Sequence, residues 1–174
     1  MCESVFIETP RMIVKKPDPL DYCALRVLQK NPDVMAFFGG PRDDDKIVAN
    51  FVKLYSHFQN HGFSFGLVFI KESLDFVGRA GLVRLDFDDK SPDIEFGCFL
   101  LKPYWGKGLA TELGNVFIRY AFEKLGLERV YATIDPENVA SIRVCEKLGM
   151  SHERTADYAS LDKRTHFYIK SRDS

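Results

Sequence analysis

Between residues 62 and 108 the hydrophobic period of this chain changes twice. Up to Gly62 apolar residues recur at helical spacing. From Ser64 they fall into short β-branched and aromatic runs separated by polar turns, and after Gly108 the helical spacing returns. Residues 11–16 (RMIVKK) read as a strand that stops before Pro17. Asp18 and Pro19 open a helical pattern with Leu20, Cys23, Ala24, Val27 and Leu28 on one face, and Asn31-Pro32 stops it. Residues 33–38 form a further helical turn. The acids Asp43, Asp44 and Asp45 start a long helix striped by Ile47, Phe51, Leu54, Tyr55 and Phe58. Acids at a helix start complement its dipole.

Residues 64–70, 76–87 and 93–101 read as a three-strand antiparallel meander. A helix over 108–124, a strand over 129–134 and a helix over 138–148 follow. Tyr158 and residues 166–169 suggest a closing hairpin. This order implies an α/β fold with a mixed sheet and excludes a repeating βαβ dinucleotide fold.

The 174 residues fit one domain over 1–174. Lys plus Arg number 24 and Asp plus Glu 25, so the near-neutral chain lacks the basic footprint of a nucleic-acid binder. The longest apolar runs, such as residues 67–70, fall far short of the roughly 18 that span a bilayer. Residues 1–10 lack the pattern of a secretory signal. A cytoplasmic protein is expected. Cys2, Cys23, Cys98 and Cys145 form no Cys-x-x-Cys, which suits thiols in a reducing compartment. His57 and His61 are four apart but lack a third ligand at matching spacing, so a solvated helix face is expected and no metal. The acidic turn at 86–93 reads as a solvated hairpin tip, or as an attractor for a cationic substrate.

The chemistry concentrates in Tyr104-Trp105-Gly106-Lys107-Gly108-Leu109-Ala110-Thr111-Glu112, which joins a strand to a helix. Glycines let a backbone turn tightly and approach a ligand closely. The helix start behind them offers open N–H groups and a positive dipole end, an arrangement suited to phosphate. Lys107 adds a charge and Thr111 a hydroxyl. A dinucleotide fingerprint requires a small residue where Thr111 stands. A P-loop requires Gly at Leu101 and Ser or Thr at Gly108, so both nucleotide motifs fail.

A second cluster, Asn138-x-x-Ser141-x-x-x-x-Glu146-Lys147-Leu148-Gly149-Met150, follows one strand later. Together the two segments resemble the GNAT superfamily of N-acetyltransferases, and in particular its RimJ/RimL-like branch. Glu8-Thr9-Pro10-Arg11-Met12 resembles the opening strand of that branch. Asp33-Val34-Met35 with Phe37-Phe38-Gly39 resembles its first helical turn. Gly78-Arg79-Ala80-Gly81-Leu82 and Ile94-Glu95-Phe96-Gly97 resemble its third and fourth core strands. The resemblance implies a GNAT-like fold: a mixed, mostly antiparallel central sheet flanked by helices and splayed between its fourth and fifth strands, here 93–101 and 129–134. Acetyl-CoA would lie in the opening as cosubstrate. Backbone groups of Phe99, Leu100 and Leu101 would hold the pantetheine. Gly106, Lys107, Gly108, Leu109, Ala110 and Thr111 would cradle the pyrophosphate, with Trp105 a further cofactor-binding residue, and Asn138 would bind the pantetheine or orient the active site from the other wall.

Members of the family pass the acetyl group directly to a bound amine. By similarity Glu95 is the candidate base, with an ordinary solvated strand carboxylate as the alternative. The Tyr that many relatives carry seven residues after the Asn is here Cys145, which reads as core. Ser141 is the candidate donor to the departing thiolate, the alternative being a residue that packs its helix on the sheet. The acceptor implied is a protein N-terminus or a small-molecule amine. The 37–40 turn and the helix over 43–61 would line its approach, and His166 and Tyr168 are further candidates. A monomer or homodimer is expected. A non-catalytic acyl-CoA-binding sensor or interaction module stays open beside the enzyme, because both need the phosphate loop.

Overall fold

The computed structural model describes residues 5–158 and 163–173, so Cys2 lies outside the described residues. Its first strands, β1 (Val5–Glu8) and β2 (Met12–Lys15), form an antiparallel hairpin. Within the expected opening strand across residues 8–12, Glu8 and Met12 lie in strands, whereas residues 9–11 form the turn between them. Thr9 closes it, because its hydroxyl accepts from the Met12 N–H at 2.9 Å while the Thr9 N–H donates to the Met12 carbonyl. Strand β3 (Phe65–Ile70) pairs antiparallel with β2 and with β4 (Phe76–Arg84).

The chain divides into two compact units, Met1–Gly81 with Cys98–Leu109, and Leu82–Gly97 with Ala110–Ser174. In the first unit, Asp18 caps a 3-10 turn at Pro19–Asp21, with Leu20 N–H donating to its carboxylate at 2.8 Å. Helix α1 (Tyr22–Lys30) starts only after this turn, and that resets its phase. Its buried face is Leu25, Leu28 and Gln29, whereas Leu20 is 88% and Val27 58% exposed. The expected stripe is therefore corrected, with Leu28 its one fully buried member. Asn31 then caps α2 (Pro32–Met35).

Helix α3 (Asp44–His61) begins at Asp43, whose carboxylate accepts from the Lys46 N–H at 2.8 Å, and stops at Gly62. It buries Ile47, Leu54 and His57. The burial of His57 corrects the solvated-face expectation: its Nδ1 lies 2.8 Å from the Phe63 carbonyl. Among the described residues no group of three or more His, Cys, Asp or Glu could hold a metal ion. Leu28, Val34 and Met35 form a core cluster on which Phe38, Phe76, Phe99 and Leu101 pack.

The second unit contains the start of β5 (Ile94–Leu100), most of α4 (Leu109–Glu123), β6 (Arg129–Ile134), α5 (Val139–Lys147), β7 (Ser151–Tyr158) and β8 (Lys163–Ser171). Phe117 of α4 is fully buried, its ring 5.9 Å from that of Phe96. Strand β8 pairs antiparallel with β6 and β7. Tyr131, Tyr158 and Phe167 form a second core cluster.

Among the described residues eight strands are hydrogen-bonded in the order β1-β2-β3-β4-β5-β6-β8-β7. The one parallel pairing, β5 with β6, is confined to Glu95 opposite Tyr131, whereas β6 and β8 pair at six positions. The strands the sequence resemblance marks for a splay thus share one rung. No helix among the described residues is long and apolar enough to cross a membrane.

Candidate active site

After β5 the chain makes a 3-10 turn at Lys102–Tyr104, in which Tyr104 and Trp105 N–H groups donate to the Leu101 and Lys102 carbonyls. The Trp105 indole reaches back to the Leu100 carbonyl at 2.6 Å, and the Leu101 N–H donates to the Val77 carbonyl at 2.9 Å. Two of the backbone groups marked for pantetheine therefore already have protein partners. Phe99 approaches Gly78 so closely that a Cβ there would fall 2.0 Å from the Phe99 carbonyl oxygen.

Gly106 and Gly108 then adopt left-handed backbone at φ +72° and +76°. Among the described residues, chain neighbours aside, no atom lies within 4 Å of where a Gly106 Cβ would sit, and at Gly108 the nearest is the Arg11 Nη2 at 3.6 Å. Helix α4 starts directly behind at Leu109, and its first N–H groups have no intrahelical acceptors. Lys107 is exposed, its ammonium 5.5 Å from the Tyr104 ring centroid. Arg11 donates from Nη1 to the Lys107 carbonyl at 3.0 Å. An open cradle with two cations and a helix start suits a diphosphate. Arg11 is a member of this loop that sequence reasoning missed; it lies 96 residues away, and no local pattern signals the contact.

In the second unit Glu95 is only 8% exposed, which sets aside a solvated strand carboxylate. Its Oε2 accepts from Thr133 Oγ1 and from the Tyr158 hydroxyl, each at 3.1 Å. Tyr158 in turn accepts from the Asp86 N–H at 3.1 Å. Asp86 and Phe87 both occupy left-handed backbone, φ 59° and 53°, which is costly for residues with a Cβ. Burial first, then the charges of Glu95 and Asp86, push the Tyr158 hydroxyl above its ordinary pKa, so it stays a donor toward Glu95. Nothing in the sequence marks Thr133 or Tyr158 as a partner of Glu95.

Asn138 caps α5, its side-chain oxygen accepting from the Ser141 N–H at 3.1 Å. Ser141 is half-buried in the first turn of that helix. Cys145 is buried, and burial followed by the Glu146 charge pushes its thiol up to about 12. Tyr168 is raised as well, by burial and then by the Cys145 and Glu146 charges. Tyr168 and His166 pair with Ala132 and Ile134, whereas Glu95 pairs with Tyr131. Alternation along a strand therefore puts Tyr168 and His166 on the sheet face opposite Glu95. There His166 Nδ1 lies 2.8 Å from Thr155 Oγ1.

The family model for the acetyltransferase (GNAT) domain matches residues 11–151. The uncharacterized protein YkkB of Bacillus subtilis is 30% identical over 129 residues, which cover 74% of each chain. The uncharacterized N-acetyltransferase YoaA of the same organism is 25% identical over 152 residues, 84% of this chain and 83% of YoaA. The spermidine N-acetyltransferase of Vibrio cholerae, solved in complex with CoA and spermine, superimposes with a TM-score of 0.74 at 17% identity, covering 93% of this chain and 96% of that one. The fold is that of GNAT acetyltransferases, and on the family match over most of its length this chain belongs to the GNAT acetyltransferase domain family and is an N-acetyltransferase.

Proposed function

We propose that the protein transfers the acetyl group of acetyl-CoA directly to a primary amine, as a member of the RimJ/RimL-like branch. When bound, acetyl-CoA supplies an activated thioester. Gly106 to Thr111 hold its pyrophosphate, with Lys107 and Arg11 supplying positive charge. Trp105 closes the strand end, Phe99, Leu100 and Leu101 flank the pantetheine, and Asn138 fixes the start of α5. Glu95 takes the proton from the acceptor nitrogen, directly or through a water. Ser141 offers a hydrogen bond to the departing thiolate. The observation that supports this reading best is the buried Glu95 carboxylate, held on one oxygen by two hydroxyls. The whole of 1–174 acts as one domain, as a monomer or homodimer. The free thiols of Cys23, Cys98 and Cys145 accord with a cytoplasmic setting.

The acceptor is a protein N-terminus or a small amine, and ionisation separates the two classes of target nitrogen. An α-amine, with a pKa of about 7.7–8.0, costs about 1 kcal/mol to deprotonate at pH 7, whereas a lysine amine at about 10.4 costs nearer ~5 kcal/mol. A thiol-release assay with acetyl-CoA across peptide α-amines, lysine amines and small amines tests the proposal. Release with at least one primary amine is expected, and no release with any of them would refute it.

Tyr158 positions the base on this reading. Tyr158→Phe removes one donor from Glu95 and leaves the Asp86 N–H without its hydroxyl acceptor. Losing a donor disfavours the charged carboxylate, so the acid limb of the kcat/KM profile moves to higher pH. An unshifted acid limb in a folded variant would show that the hydroxyl serves the fold alone.

A further inference from the structure

Among its described residues, the first unit buries a cation that has no anionic partner. Arg79 of β4 is 5% exposed. Its guanidinium lies over the rings of Phe99 and Phe65, 4.3 and 5.0 Å from their centroids. Its Nη1 donates to the Asn50 side-chain oxygen at 2.8 Å, and that oxygen also accepts from Gln29 Nε2. Arg79 Nε and Gln29 Oε1 are both buried without a hydrogen-bond partner. Among the described residues Arg79 makes no ion pair. A second cation, half-buried Arg42, joins the same chain of contacts: its backbone N–H donates to the Gln29 carbonyl at 3.0 Å, and the Gln29 side chain shares the Asn50 oxygen with Arg79. Burial, and then the Arg42 charge, lower the Arg79 pKa to about 9, so it stays charged at neutral pH.

Buried charges in proteins are ordinarily paired, because an unpaired one carries a desolvation penalty of several kcal/mol. Here the Arg79 guanidinium keeps an unpartnered Nε, and the oxygen to which its Nη1 donates, that of Asn50, already has two donors. Guanidinium forks match oxyanions in shape as well as charge. Phe99, which lies beneath Arg79, is also a residue assigned above to the pantetheine wall.

We propose that Arg79 and Arg42 bind an oxyanion on the acceptor, so that the substrate is an amine bearing a carboxylate or a phosphate, with Asn50 and Gln29 orienting the Arg79 fork. This deepens the acetyl-transfer reading and rests on it. A polycationic amine is the wrong substrate for such a site, since its charges would meet two guanidiniums.

Matched amines test it: α-amino acids against their decarboxylated amines, and aminoalkyl phosphates against the corresponding amino alcohols. Thiol release from acetyl-CoA is expected with a KM about 10- to 100-fold lower for the anionic member of at least one pair. The carboxylate and phosphate arms identify the oxyanion. The same compounds are scored by the rise in Tm they cause, which needs no turnover. Arg42→Gln removes the preference and the anion-induced rise while the acetyl-CoA-induced rise persists. Arg79→Lys, which retains the buried charge but loses the fork, weakens the preference too. Neutral or polycationic amines with an equal or lower KM, or a preference intact in both variants, would overturn the site. Anion-induced rises without thiol release from any amine would instead refute acetyl transfer and leave the anion site standing.

Discussion

Replacing Gly108 by valine abolishes the rise in Tm that acetyl-CoA gives the unaltered protein. Gly108 sits at φ +76°, where a β-branched residue costs roughly 1–3 kcal/mol in backbone strain. Its Cβ would also stand 3.6 Å from the Arg11 Nη2, and the two valine methyls would push further into the guanidinium that braces the Lys107 carbonyl. The backbone of residues 106–108 then relaxes away from the start of α4, and the N–H groups no longer converge on a diphosphate. Each ~1.4 kcal/mol lost weakens binding tenfold, and stabilisation by a ligand vanishes once its concentration falls below Kd. The check is a melt at fixed acetyl-CoA in both proteins. An unchanged rise would remove the diphosphate from this loop.

Glu95→Gln has the largest expected effect on turnover. Glutamine retains the shape of the carboxylate and can still accept from Thr133 and Tyr158, so the fold and the acetyl-CoA-induced rise persist. What is lost is the base. General base catalysis contributes about 10²- to 10⁴-fold, so kcat/KM at pH 7 falls by that factor. The sign of the pH dependence follows from the acceptor. A lysine-type amine becomes neutral unaided as pH rises toward about 10.4, so the defect shrinks with pH. For an α-amine it shrinks earlier, toward about pH 8. A loss of only a fewfold, constant across pH, would reduce Glu95 to a structural carboxylate.

The parts of this fold written in contiguous residues are legible in the sequence. The 106–111 loop is one, because glycine spacing, the preceding strand and the helix start all lie within a few positions. Strand β6 and helix α5 follow the expected bounds closely for the same reason. What the sequence hides is whatever a turn resets or a distant residue completes. The Asp18 cap inserts a 3-10 turn before α1, so a stripe counted from Leu20 has the wrong phase. Nothing near His57 announces the Phe63 carbonyl that lets it be buried.

The same limit applies within the candidate site. Glu95 is recognisable by its strand, but its two hydroxyl donors lie 38 and 63 residues further on. Arg79 sits in a legible strand, yet its lack of an anionic partner among the described residues is a property of packing. Periodicity reports which face a residue occupies and not what meets it there.

Direct transfer also requires that the protein not take the acetyl group itself. Burial, and then the Glu146 charge, push the buried Cys145 thiol up to about 12, which disfavours a thiolate there. The most direct measurement is a single reaction of protein, acetyl-CoA and amine in which free CoA thiol and acetylated amine are quantified together. Thiol release that requires the amine and equals the acetylated product one for one is the predicted result. Thiol release without amine, or an acetyl group found on the protein in place of the amine, would contradict direct transfer.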